Sequence, residues 1–439
     1  MFSAINRQIK RMVLRQQKAR PIVRISDTTL RDGAQTPGIR LTVDSRLTIA
    51  RALADAGVHS IDCGFAASSP TDVEAMKRIS KTVKGPILSG LSRCRKDDID
   101  ATYAALSGAS PLKRAISLFC GTSPLHREHR HNMSKAQIID MICKAIDHAH
   151  TRFEIISFGA EDASRTEPDF LCEVYNKAIE AGAMSIGFAD TVGLLTPPKA
   201  VNTVRRIQDG VKRMDDAMLA VHFHNDLGLA TANSLACIEA GCNIVQGTIN
   251  GIGERAGNTA LEEVVLTLEL HQDQYKRGHG MDTTKLASLS RLVAELTGFG
   301  IADNKAVVGR NLFRTEAGIH QDAMLKHTDT YMPFPPELIG ADPVELVLGP
   351  TSGRSAVKHY LEQTGVEAKD EYVDFVLGYL KNGQHAPSDR PEVQQFLDRL
   401  RPYMGEALPN NAEELTRELE RAADAARKNG VAHANGVHS

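Results

Sequence analysis

The sequence predicts an α/β protein built on a closed (β/α)8 barrel of the TIM type, followed by a small linker subdomain and a helical C-terminal subdomain. Three observations lead there. Between Pro21 and about Leu270, short β-branched or apolar runs alternate with longer amphipathic stretches, the pattern of a parallel sheet whose strands are joined by helices. The runs number eight, the count a closed barrel needs, with a doubly wound open sheet as the alternative. Unusual polar clusters also fall just beyond several runs, where a barrel gathers its functional side chains.

In chain order the expected strands are Ile22–Ser26, Ser60–Cys63, Pro86–Ser89, Ala115–Phe119, Glu154–Phe158, Ser185–Ala189, Leu219–Phe223 and Ile244–Thr248. Helical stretches between them, such as SRLTIARALADAG and ANSLACIEAG, end in a glycine suited to a helix C-terminus. The barrel is expected over 21–285, after a locally basic N-terminal extension over 1–20. A linker and lid subdomain is expected over 286–345, with the helical segment TTKLASLSRLVAELTG near its start and the Pro-rich run YMPFPPELIG near its end. Residues 346–407 read as helical, with SAVKHYLEQTG and DEYVDFVLGYLKNG as amphipathic segments, and 408–439 as a frayed tail.

Composition narrows the class of function. A chain of 439 residues with 42% hydrophobic and 24% charged residues reads as soluble and globular. A net charge of -2 gives no electrostatic case for nucleic acid or an anionic membrane as partner. The basic start lacks the apolar core of a signal peptide, and no stretch is apolar enough to span a bilayer, so a cytoplasmic protein is expected. The seven cysteines are scattered, odd in number and without a CxxC pair. That usage fits buried thiols in a reducing compartment better than disulfides or a zinc–thiolate site.

The first polar cluster follows strand one: Asp27-Thr28-Thr29-Leu30-Arg31-Asp32-Gly33-Ala34-Gln35. Two acids, an arginine and a glutamine in one loop suit a binding site, and equally a capped turn with a surface ion pair. The second cluster ends strand seven: Val221-His222-Phe223-His224-Asn225-Asp226. Residues two apart on a strand face the same way, so both imidazoles can reach one point. With a carboxylate from another strand end they would make a three-ligand metal site with open positions. The bland alternative is a hydrogen-bonded pair at a barrel mouth, and the presence of Asp32 in the same barrel favours the metal. The third cluster, Thr248 to Asn258, mixes three glycines with Glu254, Arg255 and Asn258. It suits a backbone folded tightly against a ligand, or else a flexible glycine loop. Glu161-Asp162 and Asp190-Thr191 follow strands five and six. Each alone suits a helix N-cap, but polar groups beyond five of eight strands exceed what folding requires.

Six segments in order, DTTLRDGAQTPG, FGAEDASRT, GFADTVG, HFHNDLGLATANS, NGIGERAGN and TEAGIHQDAMLKH, resemble the DRE-TIM metallolyases. Within that family the resemblance is to the Claisen-condensing branch of homocitrate, 2-isopropylmalate and citramalate synthases, and it covers about residues 21–400. GAEDASR, GLATAN, NGIGERAGN, EAGIH and LKH are most similar to the short homocitrate synthases of nitrogen-fixing bacteria. The resemblance implies an acyltransferase that condenses acetyl-CoA with a small 2-oxo acid and then hydrolyses the thioester. It also implies a homodimer in which a segment of one subunit crosses to the other barrel. Asp32, His222 and His224 would hold one divalent ion (Zn, Mn, Mg or Co), with Asn258 a weaker or outer ligand. Arg31 would stabilise developing negative charge, Gln35 and Thr191 would bind the 2-oxo acid, and Glu161 would line the same pocket. His320 and Tyr331 would act near the thioester methyl group, the histidine together with Glu254.

Two positions depart from the family pattern. Ala34 stands where a glutamate is usual, at a position that is not a ligand. Leu91 and Ser157 stand where lysine-pathway homocitrate synthases use a histidine and an arginine to hold the distal carboxylate of 2-oxoglutarate. Leu91 would then give the substrate tail only apolar contact, and Arg24, Arg93 and Arg95 are the candidates to hold an anionic tail. Alternative substrates are 2-oxoisovalerate, pyruvate, oxaloacetate and phosphonopyruvate. The length beyond Leu348 weighs against an isopropylmalate synthase with a further regulatory domain. A C–C lyase of the same barrel family would carry a glycine-rich loop with a catalytic cysteine, which the sequence lacks. A non-catalytic binding protein would not need Arg31, Asp32, His222, His224, Glu254 and His320 together.

Overall fold

The computed structural model describes residues 20–363 and 368–382. The expected N-terminal extension up to residue 19, the expected tail and the segment from 383 onward lie outside the described residues.

Eight parallel strands close into a barrel, each paired with its sequence neighbour and the last with the first. They are β1 Arg24–Asp27, β2 Ser60–Asp62, β3 Ile87–Arg93, β4 Arg114–Gly121, β5 Ile155–Glu161, β6 Ser185–Asp190, β7 Met218–Phe223 and β8 Ile244–Gly247. Every expected strand overlaps one of these, and the open-sheet alternative falls because β8 bonds to β1 from Arg24 to Asp27. The structure lengthens β3 and β5 at their C-terminal ends, which places Arg93 and Glu161 on strands rather than in loops.

Helices follow the strands on the outside: α1 Val43–Asp55, α2 Pro70–Thr82, α3 Lys96–Leu106, α4 Lys135–Ala149, α5 Pro168–Ala181, α6 Pro197–Gly210, α7 Ala230–Glu239 and α8 Leu261–Leu270. Their ends carry local signals. The Thr42 hydroxyl accepts from the Ser45 amide to start α1, and Ser134 and Gln137 cap each other's backbone to start α4. Gly57 and Gly241, just past α1 and α7, take φ of 83° and 97°. That left-handed turn favours glycine and aims the chain back at the next strand.

Side chains alternate strictly across the barrel wall. Ile116 and Leu118 of β4, Ile156 and Phe158 of β5, and Ile186 and Phe188 of β6 are at most 1% exposed. They share the helix-facing side, since a Cβ at Gly90 of β3 would run into Met76 of α2 and Thr102 of α3. This apolar layer between sheet and helices is the core of the barrel. The opposite, inward face of the same strands carries Ser117, Ser157, Gly159, Ser185, Gly187 and Ala189, together with the apolar Phe119 and Ile155.

The chain separates into two compact units, the first running to Ile301 with Ala306–Val308 and the second taking Ala302–Lys305 and the residues from Gly309 on. Helix α9, Leu286–Thr297, is in the first unit, where the Asn250 side chain donates to the Ser290 carbonyl. This helix, which lies just past the expected boundary at 285, packs on α1 and on the loop after β8. The second unit holds α10 Gly318–Lys326, α11 Arg354–Gln363 and α12 Asp370–Asn382, with a two-strand parallel pair of Arg314–Thr315 and Glu345–Leu346.

Candidate active site

The loop after β1 is wound tightly, because the Asp32 and Gly33 amides both donate to the Thr28 carbonyl at 2.8 and 3.1 Å. The turn buries Asp32 to 3% exposure and aims its carboxylate across the barrel mouth towards β7. His222 lies on the inward face of β7 and His224 just past its end, both buried. Their Nε2 atoms are 3.3 Å apart, and His222 Nε2 stands 3.7 Å from Asp32 Oδ2. Asn258 completes the cluster by donating to Asp32 Oδ1 at 2.7 Å and to the Ile252 carbonyl at 3.1 Å. The backbone reaches this close only because residue 253 is glycine. A Cβ there, at φ 154°, would lie 2.0 Å from Asn258 Nδ2 and 3.0 Å from Asp32 Oδ1.

Charge in the cluster is arranged for a cation. Burial works against the Asp32 carboxylate, but Arg31 and then the two histidines outweigh it and hold the group well below the usual carboxylate range. Burial, reinforced by His224, pushes His222 down to about 3, and burial also lowers His224. Both rings are therefore neutral with lone pairs to offer. One ligand atom from each of Asp32, His222 and His224 lies within 4.8 Å of the others. Ligands held about 2.0–2.1 Å from one tetrahedral ion stand about 3.3 Å apart, so the imidazole pair already has the right opening. The buried Asn258 Oδ1 has no hydrogen-bond partner, which also fits a cation. The residues present fit a divalent metal.

Arg31 bridges this cluster to β2, with Nη1 on Asp32 Oδ2 at 2.5 Å and Nε on Asp62 Oδ2 at 2.9 Å. Its guanidinium is thereby fixed beside the mouth centre. Other expected residues ring the mouth without touching the cluster. Gln35 is exposed, and Leu91 is partly exposed on the inward face of β3. Glu161, at the end of β5, is held by Arg130 at 2.5 Å, with His126 at 3.8 Å. The Thr191 hydroxyl accepts from the Asp162 amide at 2.8 Å, and the Thr191 carbonyl accepts from Arg255 at 2.6 Å. Glu254 is largely solvent-facing, 3.6 Å from Arg255, which itself grips Asp226 at 2.8 and 3.0 Å. In the second unit, the exposed His320 ring on α10 stacks on Tyr331 with centroids 3.9 Å apart.

The three arginines proposed for an anionic tail are corrected. Arg24 opens β1 and so sits at the end of the barrel opposite Asp32. Arg93 is bound by both oxygens of Asp98 at 2.6 and 3.0 Å, and Arg95 is exposed at the start of α3. Sequence reasoning missed Asp62, Arg130 and His126, which position Arg31 and Glu161, and named Asp226 in the second cluster without its role of holding Arg255. Asp62 was legible as a carboxylate at the end of a strand, and the run His126-Arg127-Glu128-His129-Arg130-His131 as a basic cluster beyond β4. Two surface grooves, of about 540 Å³ beside Ser69 and about 700 Å³ beside Arg277, contain none of the site residues.

Comparison with known proteins agrees with this geometry. A family model described as HMGL-like matches residues 22–293, and one described as homocitrate synthase post-HMGL domain-like matches 307–386. The chain is 44% identical over 359 residues to a 2-isopropylmalate synthase of Shouchella clausii, covering 82% of this chain and 69% of the relative. It is 42% identical over 359 residues to a protein of that name from Pyrococcus furiosus, covering 82% and 72%. Among solved structures, HMG-CoA lyase from Bacillus subtilis superposes with a TM-score of 0.55 at 18% identity, over 64% of this chain and 95% of that one. The carboxyl transferase domain of Rhizobium etli pyruvate carboxylase gives 0.53 at 14%, over 95% and 64%. At such identities the structures speak for the barrel fold alone.

Proposed function

The chain belongs to the Claisen-condensing branch of the DRE-TIM metallolyases, and on that premise we propose that it condenses acetyl-CoA with a 2-oxo acid. The carrying observation is the buried Asp32–His222–His224 cluster with Arg31 locked beside it at the C-terminal end of the barrel. Asp32, His222 and His224 would hold the divalent ion, with Asn258 as the outer group. Bound there, the ion would polarise the keto group of the 2-oxo acid and offset the negative charge that develops on it.

The remaining work falls to this chain's own side chains. A base removes a proton from the thioester methyl group, and the resulting carbanion forms a C–C bond to the keto carbon. The keto oxygen takes up a proton, and water then cleaves the C–S bond to leave a 2-hydroxy acid that has gained a carboxymethyl group and the free CoA thiol. Arg31 would face the oxygen on which charge accumulates, a fixed donor that needs no reorganisation. Gln35 and Thr191 would bind the 2-oxo acid, and Glu161 and Leu91 would line its pocket. His320, stacked on Tyr331, would serve the proton transfer together with Glu254, reaching the barrel of a second copy in a homodimer.

Thiol release from acetyl-CoA tests the reaction against pyruvate, 2-oxoisovalerate, oxaloacetate, 2-oxoglutarate and phosphonopyruvate. The expected result is metal-dependent release with at least one of them; full activity in protein shown metal-free by elemental analysis would sink the reading. Mixing inactive His320→Ala with inactive Asp32→Ala subunits should restore part of the activity, and none returning after verified exchange would remove the crossing. Homocitrate-type chemistry on 2-oxoglutarate is the first substrate reading. The name of the curated relatives favours 2-oxoisovalerate as the second.

A further inference from the structure

The loop after β8 turns on glycines packed against their neighbours. A Cβ at Gly253 would lie 2.0 Å from Asn258 Nδ2, and one at Gly257 would lie 1.9 Å from the Gly251 carbonyl oxygen. Between them the Gly257 amide donates to the Glu254 carbonyl at 3.0 Å, which closes a tight turn whose second residue is Arg255. Arg255 takes φ of 56°, in the left-handed region. Asn132, Asp162 and Asn250 share that region and are of the types that tolerate it, whereas an arginine there is strained by its own Cβ. Such strain persists only where the surroundings hold the residue in place.

The groups that hold it belong to two other loops. Arg255 Nε donates to Asp226 Oδ1 at 2.8 Å and Nη2 to Asp226 Oδ2 at 3.0 Å, a two-pronged grip on the loop after β7. Nη2 also donates to the Thr191 carbonyl, at 2.6 Å, in the loop after β6. The Thr191 hydroxyl in turn accepts from the Asp162 amide at 2.8 Å, beyond β5. Gly193 makes the approach possible: at φ 65°, a Cβ there would stand 2.3 Å from Asp226 Oδ2. One guanidinium thus links the ends of β6, β7 and β8. Stability alone does not explain the link. The Arg255 side chain is 38% exposed, and an exposed ion pair contributes little to folding. Strain set against a weak pair leaves little net gain, so what the arrangement delivers is position.

We infer that Arg255 is a positioning residue of the condensation: its strained turn fixes where Glu254 points, and its fork fixes Thr191. The inference rests on the condensing-enzyme reading, which gives Glu254 and Thr191 their roles. Among the described residues the Glu254 carboxylate has one ion-pair partner, Arg255 Nη1 at 3.6 Å. Without the guanidinium the turn is free to aim Glu254 elsewhere, and the Thr191 carbonyl loses its donor. A misplacement of about 1 Å in a reacting group costs on the order of 100-fold in rate. The cluster of Asp32, His222 and His224 is tied separately, through Asn258 and Arg31, and should keep its ion.

Arg255→Gly separates position from stability, because glycine takes a positive φ without strain. Tm should hold or rise, and elemental analysis should still find one metal ion per chain. With acetyl-CoA and whichever of pyruvate, 2-oxoisovalerate, oxaloacetate and 2-oxoglutarate the native chain uses best, kcat/KM should fall by about 10–100-fold. Asp226→Asn, which frees the fork, should give a similar loss, and joining the two variants should add nothing further. Arg255→Lys keeps the charge without the fork and should not restore the rate. Unchanged kcat/KM in Arg255→Gly overturns the inference and leaves the synthase standing. So does a loss of Tm and metal in step with activity, since the residue would then be only structural. If the native chain releases no thiol with any acid, the synthase reading fails instead. The thermal shift given by those acids with metal alone then decides: its loss in Arg255→Gly upholds the positioning of Thr191, and its persistence overturns it.

Discussion

The two sides of the barrel interior differ sharply. On the side running from β7 through β8 to β1 and β2, polar groups are buried and interlocked: His222 against His224 and Asp32, Asn258 on Asp32, Arg31 on Asp32 and Asp62. On the side from β3 to β6, the same inward positions carry Ser117, Ser157, Gly159 and Gly187, partly accessible and scarcely bonded. The first side is over-determined, since each group is held by at least one other and none can move alone. The second is open beside Gly159, with Phe119 and Leu91 as its bulky neighbours. This division suits an enzyme that keeps its chemistry fixed beside a wall left more open.

The largest effect should come from breaking the interlocked side. Asp32→Ala removes the one carboxylate of the cluster and strands Arg31 and Asn258. Metal content should fall from one per chain towards zero, and thiol release should drop by at least about 1000-fold. Elemental analysis beside the activity assay reads both, and a variant keeping metal and turnover would erase the contrast between the sides. A smaller effect is expected at the border between them. Arg130→Ala frees Glu161 at the end of β5. With that charge-assisted bond gone, kcat/KM for the 2-oxo acid should fall by about 10-fold, mainly through KM, while the metal stays bound. Loss of metal in that variant would mean the border belongs to the interlocked side.

The smallest effect concerns stability beneath the interlocked side. The Asp27 carboxyl is fully buried at the end of β1, and burial raises it to about 7 against the pull of two hydrogen bonds from Thr29. The folded state therefore holds a proton there that the unfolded chain releases near 3.8. Its stabilising contribution is complete below that value and is lost as pH rises through about 7. Asp27→Asn keeps the shape without the titration, so Tm between pH 5 and 8 should decline less steeply with pH than in the native chain. His222 has the opposite sign: held neutral down to about 3, it costs the metal-free fold stability as pH falls below 6.5. Equal slopes in the native and Asp27→Asn chains would show that Asp27 takes up no extra proton on folding.

The barrel was legible from residues 22 to 248 because strand and helix signals are local. Period-two apolar runs such as Ala115–Phe119, and glycines such as Gly57 and Gly241 that close helices, need only a few neighbours to be read. The Asp32–His222–His224 cluster was legible too: alternation on a strand puts His222 and His224 on one face wherever the strand lies, and an acid beyond another strand end supplies the carboxylate. What faces what across the barrel was not. Closure with its stagger decides that Ala189 and Gln246 flank His222 and that Gly159 meets Gly187, because register between strands far apart in sequence is set by the fit of the whole sheet. The same cause misassigned Arg24, a strand residue at the wrong end, and hid Arg130 and Asp62, whose roles exist only through partners 31 residues away. The sequence by itself determined the strands, the helices between them and the chemistry at the strand ends. Only the closed sheet decided which groups would lock together and which would be left more open, since the facing of two strands is a property of the whole sheet and no single segment carries it.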